Sequence, residues 1–116
     1  MQMGQLIITQ DDDGKTLDIS EGDEIVVQLP ENPSTGYVWA IEHRDRILTL
    51  QDNQFIQSQA ETTGVRPVVG AGGVRALTLR AKGRGIAQLK LKRYRSWLGD
   101  SSIIERFHLT LRISDS

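Results

Sequence analysis

The sequence predicts an all-β fold, an antiparallel β-sandwich of immunoglobulin-like type with a small barrel as the alternative, on three observations. Apolar residues alternate with period two in several segments, no segment holds a 3.6-residue period, and short Gly- and Asp-rich turns separate the segments. The clearest alternation sets Phe107, Leu109, Leu111 and Ile113 against His108, Thr110 and Arg112, the pattern of a half-buried strand.

Taken in order, Gln5 to Thr9 and Thr16 to Ser20 are short strand candidates, separated by the turn Asp11-Asp12-Asp13-Gly14. Ser20-Glu21-Gly22-Asp23 turns the chain into a stronger strand, in which Ile25, Val27 and Leu29 share one face. Tyr37 to Glu42, Ile47 to Leu50 and Gln54 to Gln59 follow as weaker candidates, and Val74 to Ala81 places Leu77 and Leu79 inward. Lys82-Gly83-Arg84-Gly85 is a tight connection into a strand with Ala87, Leu89 and Leu91 inward. Two connections are longer, one from about Ala60 to Gly73 and one from Arg93 to about Ile103.

In an antiparallel arrangement every second connection lies at the same end of the sheet. If Glu24 to Leu29 runs up, the loop at Asn32 is on top and the chain returns below around His43 to Asp52. Gln54 to Gln59 then rises to the 60–73 loop, and Ile86 to Lys92 rises to the 93–103 loop. All three unusual loops share one end, provided that Ile47 to Leu50 is not an independent traverse of the sheet.

At 116 residues the chain is read as one domain, residues 1–116, with a core but no internal linker. Its formal net charge of -1, with acids and bases interspersed, argues against nucleic acid and membrane surfaces as partners, and a monomer is expected. There is no cysteine, which removes disulfides, thiolate nucleophiles and Cys-based zinc sites together. His43 and His108 lie far apart, so neither a metal cluster nor a catalytic triad is read, and no cofactor is implied. The first ten residues lack the basic and apolar regions of a leader. Localisation stays open: cytoplasmic for the chain as given, periplasmic or secreted if a leader was removed.

The most informative segment is Asn32-Pro33-Ser34-Thr35-Gly36-Tyr37. Pro33 fixes its own φ and drives Asn32 towards extended backbone, Gly36 can take a positive φ, and Ser34 and Thr35 can bond back to nearby backbone. These features make a stiff, nearly uncharged tip, suited to insertion into another protein's cleft because little entropy is lost and few charges are desolvated. Gly70-Ala71-Gly72-Gly73 superficially resembles a phosphate loop, but no Lys-Ser/Thr follows and a strand comes next. It is read as backbone able to lie against a partner, with a flexible hairpin tip as the structural alternative. Arg95-Ser96-Trp97 joins the two residue types most enriched at binding hot spots, whereas Trp39, on a strand face, is read as core. Trp97 folding back as a lid on the core is the alternative. The basic run from Lys82 to Arg95 is read as a solvated strand face.

With these three loops the chain resembles the chagasin-type inhibitors of papain-like cysteine peptidases, whose pattern is Asn-Pro-Thr-Thr-Gly-Tyr followed by Trp, then Gly-x-Gly-Gly, then Arg-Pro-Trp. Here the pattern is Asn32 to Tyr37 with Trp39, Gly70 to Gly73, and Arg95 to Trp97, with Glu105-Arg106-Phe107 where the family enters its last strand. The resemblance implies an immunoglobulin-like sandwich that blocks a peptidase cleft reversibly and competitively with a three-loop wedge, as a binder and not an enzyme. It implies that the Asn32 to Tyr37 tip sits over the peptidase's Cys-His pair with Thr35 nearest the thiol. Gly70 to Gly73 would run along the unprimed side, and Arg95 and Trp97 would pack on the primed side. Three residues depart from the pattern. Ser34 replaces a Thr, Tyr94 is an aromatic one position later than usual, and Ser96 replaces a Pro, at about 0.4–1 kcal/mol of lost preorganisation. The rival function is an immunoglobulin-like adhesion or assembly module binding a non-peptidase protein through the same loops.

Overall fold

The computed structural model describes residues 4–57 and 72–115. Among these, eight strands make up two four-stranded sheets: β1 (Gln5–Ile8), β2 (Thr16–Ser20), β3 (Glu24–Glu31), β4 (Val38–Arg44), β5 (Leu48–Gln57), β6 (Gly73–Ala81), β7 (Gly85–Tyr94) and β8 (Glu105–Ser114). One sheet has the order β1-β3-β6-β5 and the other β2-β8-β7-β4. The described residues contain no α-helix, only short 3-10 turns.

The core lies between the sheets and is the sum of the inward positions. Ile25, Val27 and Leu29 of β3, Leu77 and Leu79 of β6, Ala87, Leu89 and Leu91 of β7, and Phe107, Leu109 and Leu111 of β8 are all buried. Alternation selects them because a strand with one wet face must place every second side chain inside. Trp39 closes the core near the loop end at 3% exposure, and its indole N–H donates to Pro30 O at 2.9 Å, so that its polar atom is not left unpaired.

The purely antiparallel expectation needs correction at two edges. β3–β6, β5–β6, β4–β7 and β7–β8 are antiparallel, but β1 runs parallel to β3 and β2 runs parallel to β8. The cause is the crossing through Gln10–Asp12, which carries the chain from one sheet to the other between β1 and β2. Its acids serve this passage: Asp12 accepts from Thr9 N–H and Asp13 from His108 N–H, both at 2.9 Å.

Ile47 to Leu50 and Gln54 to Gln59 are not separate strands. β5 runs unbroken from Leu48 to Gln57 beside β6, with a register shift between Leu50 and Asp52. That bulge disrupts the inward alternation on an edge strand, which is why the sequence pattern fades there. One strand instead of two preserves the parity, and β3, β5 and β7 all finish at one end of the sandwich. Strand β4 also begins at Val38 rather than Tyr37, which leaves Tyr37 in the loop.

At the opposite end Asp45 ties β4 to β7. Its carboxylate accepts from Gln88 N–H at 2.6 Å and lies 2.9 Å from His43 Nε2. The Gln88 amide, then His43, hold this carboxyl below its ordinary range. A lowered folded-state pKa means stabilisation that is present above the unfolded value and is lost as pH falls through the folded one. Asp45→Asn should therefore lower Tm near neutrality, with the difference from the parent closing as pH falls below the ordinary carboxylate range. Calorimetry across that range checks it.

Candidate functional site

The central loop, the third loop (residues 95–104) and Gly72 build the candidate site from two sheets. The central loop, Asn32 to Tyr37, is a 3-10 turn over Pro33–Thr35 whose groups bond mainly to each other. Asn32 Oδ1 accepts from Ser34 N–H at 3.1 Å and from the Ser34 hydroxyl at 2.8 Å. The Thr35 hydroxyl donates to Asn32 O at 2.7 Å and accepts from Tyr37 N–H at 3.2 Å. Gly36 N–H donates to Pro33 O at 3.0 Å, and Gly36 ends the turn with φ 79°, a left-handed conformation open to glycine. Six residues thus form a self-braced tip. Pro33, Ser34 and Thr35 are exposed. Because the Thr35 hydroxyl is paired internally, the apolar part of that side chain is what it leaves to a partner.

The third loop braces the first. Arg95 Nε–H donates to Thr35 O at 3.2 Å, and the guanidinium lies 4.4 Å from the centre of the Tyr37 ring. The same side chain thus joins the two sides of the central loop through a hydrogen bond and a cation–π contact. The Trp97 ring packs against Gly36 so closely that a Cβ there would overlap it. Trp97 is nevertheless 68% exposed, and the adjoining Leu98 is exposed too. The core-lid alternative for Trp97 is excluded, while Trp39 is core as expected.

Ser96 in place of proline does not leave this loop unsupported. Arg95 N–H donates to Ser102 Oγ at 2.9 Å, and the Ser102 hydroxyl points back to Gly99 O at 2.7 Å and Arg95 O at 3.1 Å. Leu98 N–H closes the turn onto Arg95 O at 2.9 Å. Tyr94 ends β7 opposite Val38, with Lys92 Nζ 4.6 Å from its ring centre, so it belongs to the strand rather than to the loop tip. Nothing in the sequence singles out Ser102, since a serine seven positions from its partner has no pattern that marks it.

Of the glycine-rich segment, Gly70 and Ala71 lie outside the described residues. Gly72 stands beside the central loop, where an added Cβ would come within 3.4 Å of the Asn32 Cβ. Gly73 is not loop: it is the first residue of β6, buried, and paired with both Glu31 and Gln57. A Cβ there would run into the Ile56 carbonyl and the Phe55 ring, so this glycine is required for strand approach.

The residue that sequence reasoning missed is Glu31, immediately before the central loop. Glu31 is 2% exposed, with Oε1 accepting from Trp39 N–H at 2.8 Å and from Arg75 Nε at 3.2 Å. Its Oε2 accepts from Arg75 Nη2 at 2.8 Å. The signal was present: Glu31 is the next inward position after Ile25, Val27 and Leu29, where alternation calls for an apolar side chain. Among the described residues no group of three or more His, Cys, Asp or Glu side chains could hold a metal ion. Among the same residues no helix is long and apolar enough to cross a membrane.

A model of the chagasin family peptidase inhibitors, I42, matches residues 18–111. The chain is 35% identical over 91 residues to amoebiasin-2 of Entamoeba histolytica, covering 78% of this chain and 71% of the relative. It is 28% identical over 111 residues to chagasin of Trypanosoma cruzi, covering 90% and 94% respectively. Among solved structures, the cysteine protease inhibitor EhICP2 from Entamoeba histolytica superposes with a TM-score of 0.83 at 28% identity, over 97% of this chain and 98% of that one.

Proposed function

The chain belongs to the chagasin family of peptidase inhibitors, and from that premise we propose that it inhibits papain-like cysteine peptidases by seating its three-loop end in the active-site cleft. Inhibition is reversible and competitive, with no covalent step. The observation that carries this reading is that the first and third of the family's motifs meet at one end of the sandwich, joined there by Arg95 and Trp97, with Gly72 of the second beside Asn32. The self-bonded central tip meets the peptidase's thiolate with Thr35, offering an apolar surface and no charge. Gly72 presents backbone to the unprimed side. Trp97, with Leu98, supplies the apolar anchor on the primed side. Arg95 acts in this reading as a strut for the tip, and its contacts to Thr35 and Tyr37 limit what it can offer a partner.

The test is steady-state inhibition of papain and a cathepsin L-like peptidase over an inhibitor titration, with trypsin as the control. Competitive inhibition of the cysteine peptidases alone is expected. No effect at micromolar inhibitor would overturn the reading in favour of an assembly module. In the same assay Trp97→Ala should lose roughly 2 kcal/mol of binding, about thirtyfold in the inhibition constant, with Tm almost unchanged. A large fall in Tm would instead assign Trp97 to stability.

A further inference from the structure

Glu31 is the one buried charged side chain among the described residues. A carboxylate at an inward strand position carries a large desolvation cost, and a buried ion pair is often no more stabilising than apolar residues of similar volume. Stability alone therefore does not account for a carboxylate where β3 otherwise places Ile25, Val27 and Leu29. Its location offers a reason. Glu31 is bonded to Asn32, the first residue of the central loop, and its register partner is Gly73, next to Gly72 of the second. Its carboxylate reaches Trp39 N–H on β4 of the other sheet and the Arg75 fork on β6, and Arg75 Nη1 continues to Asn53 Oδ1 on β5 at 3.2 Å. The bonds of this pair therefore connect four strands at the root of two loops.

We propose that Glu31 and Arg75 form a latch that fixes the central loop and Gly72 relative to each other and to the opposite sheet, so that the free protein already holds the arrangement the cleft accepts. Both are positioning residues and neither touches the peptidase. This rests on the inhibitory reading above. The chemistry suits the role, because a carboxylate and a guanidinium meet in a defined planar geometry, whereas a pair of apolar side chains could slide. Carboxylate oxygens also satisfy the Trp39 amide, which an apolar residue at position 31 would leave buried and unpaired.

The test uses Glu31→Gln, which keeps an acceptor for Trp39 N–H but removes the charge, and Arg75→Lys, which keeps the charge but removes the fork. Amide hydrogen exchange of the free proteins is followed beside inhibition of papain. In both variants, exchange at Ser34, Thr35, Gly36 and Gly72 should quicken at least tenfold, while amides paired between β7 and β8 remain as protected as in the parent. The inhibition constant should rise about tenfold, because only a fraction of free molecules then holds the competent arrangement. Unchanged loop exchange in Arg75→Lys, or a lowered Tm with an unchanged inhibition constant, would overturn the latch and leave a structural ion pair. If Glu31→Gln does not fold, Arg75→Lys carries the test. If the parent itself fails to inhibit papain, the inhibitory reading falls, and the exchange measurement still decides whether the pair holds the loops together.

Discussion

Thr35→Asp is expected to raise the inhibition constant for papain by about 100-fold, close to 2.7 kcal/mol, while Thr49→Asp on β5 leaves it within twofold. Two effects add. At the proposed contact the new carboxylate meets the peptidase's thiolate with water excluded, where like charges repel strongly and desolvation of the carboxylate is uncompensated. Inside the loop an aspartate can still accept from Tyr37 N–H but cannot make the donation to Asn32 O that the Thr35 hydroxyl makes at 2.7 Å. Thr35→Val separates the two, since it removes both of the hydroxyl's bonds without adding a charge. If charge dominates, Thr35→Val should keep most of the affinity that Thr35→Asp loses. If Thr35→Val is as poor as Thr35→Asp, losing the hydroxyl's brace matters more than gaining the charge. Equal losses in Thr35→Asp and Thr49→Asp would remove the central loop from the mechanism.

The legibility of this chain divides along a physical line. Strands whose two faces see different surroundings can be read directly, so the inward sets on β3, β7 and β8 follow from alternation, and their parity places three loops at one end. Edge strands are harder. β5 is largely exposed and bulged, so its pattern is blurred. The parallel pairing of β1 with β3 and of β2 with β8 depends on where the crossing at Gln10–Asp12 travels, which no local pattern encodes. The same division runs through the site. Turn chemistry from Asn32 to Gly36 is local and readable, since each bond within it spans no more than three residues. Arg95 reads as a hot-spot residue by type, but its bonds to Thr35 and Tyr37 come from a different part of the chain. Ser102 and Arg75 likewise matter through tertiary partners. Only Glu31 carried an unused local sign, a charge in an apolar register.

Gly36→Ala is expected to weaken inhibition by about 30- to 100-fold, through Trp97 as much as through the backbone. Gly36 has φ 79°, and a left-handed alanine costs on the order of 1–2 kcal/mol. The new methyl would also overlap the Trp97 ring, which must then swing away from the central loop. Gly14 provides the matching control, because it has φ 83° with nothing within 4 Å of an added Cβ, and it contributes to none of the three loops. Gly14→Ala should therefore lose comparable stability and keep full inhibition, which isolates the strain of the left-handed backbone. A double-mutant cycle supplies the rest. If Gly36→Ala acts by displacing Trp97, adding it to Trp97→Ala should cost less than the sum of the single losses, since the anchor is already gone. Additive losses would mean that the central and third loops engage the peptidase independently. In that case the packing of Trp97 on Gly36 would be incidental, and Arg95 alone would couple the two loops.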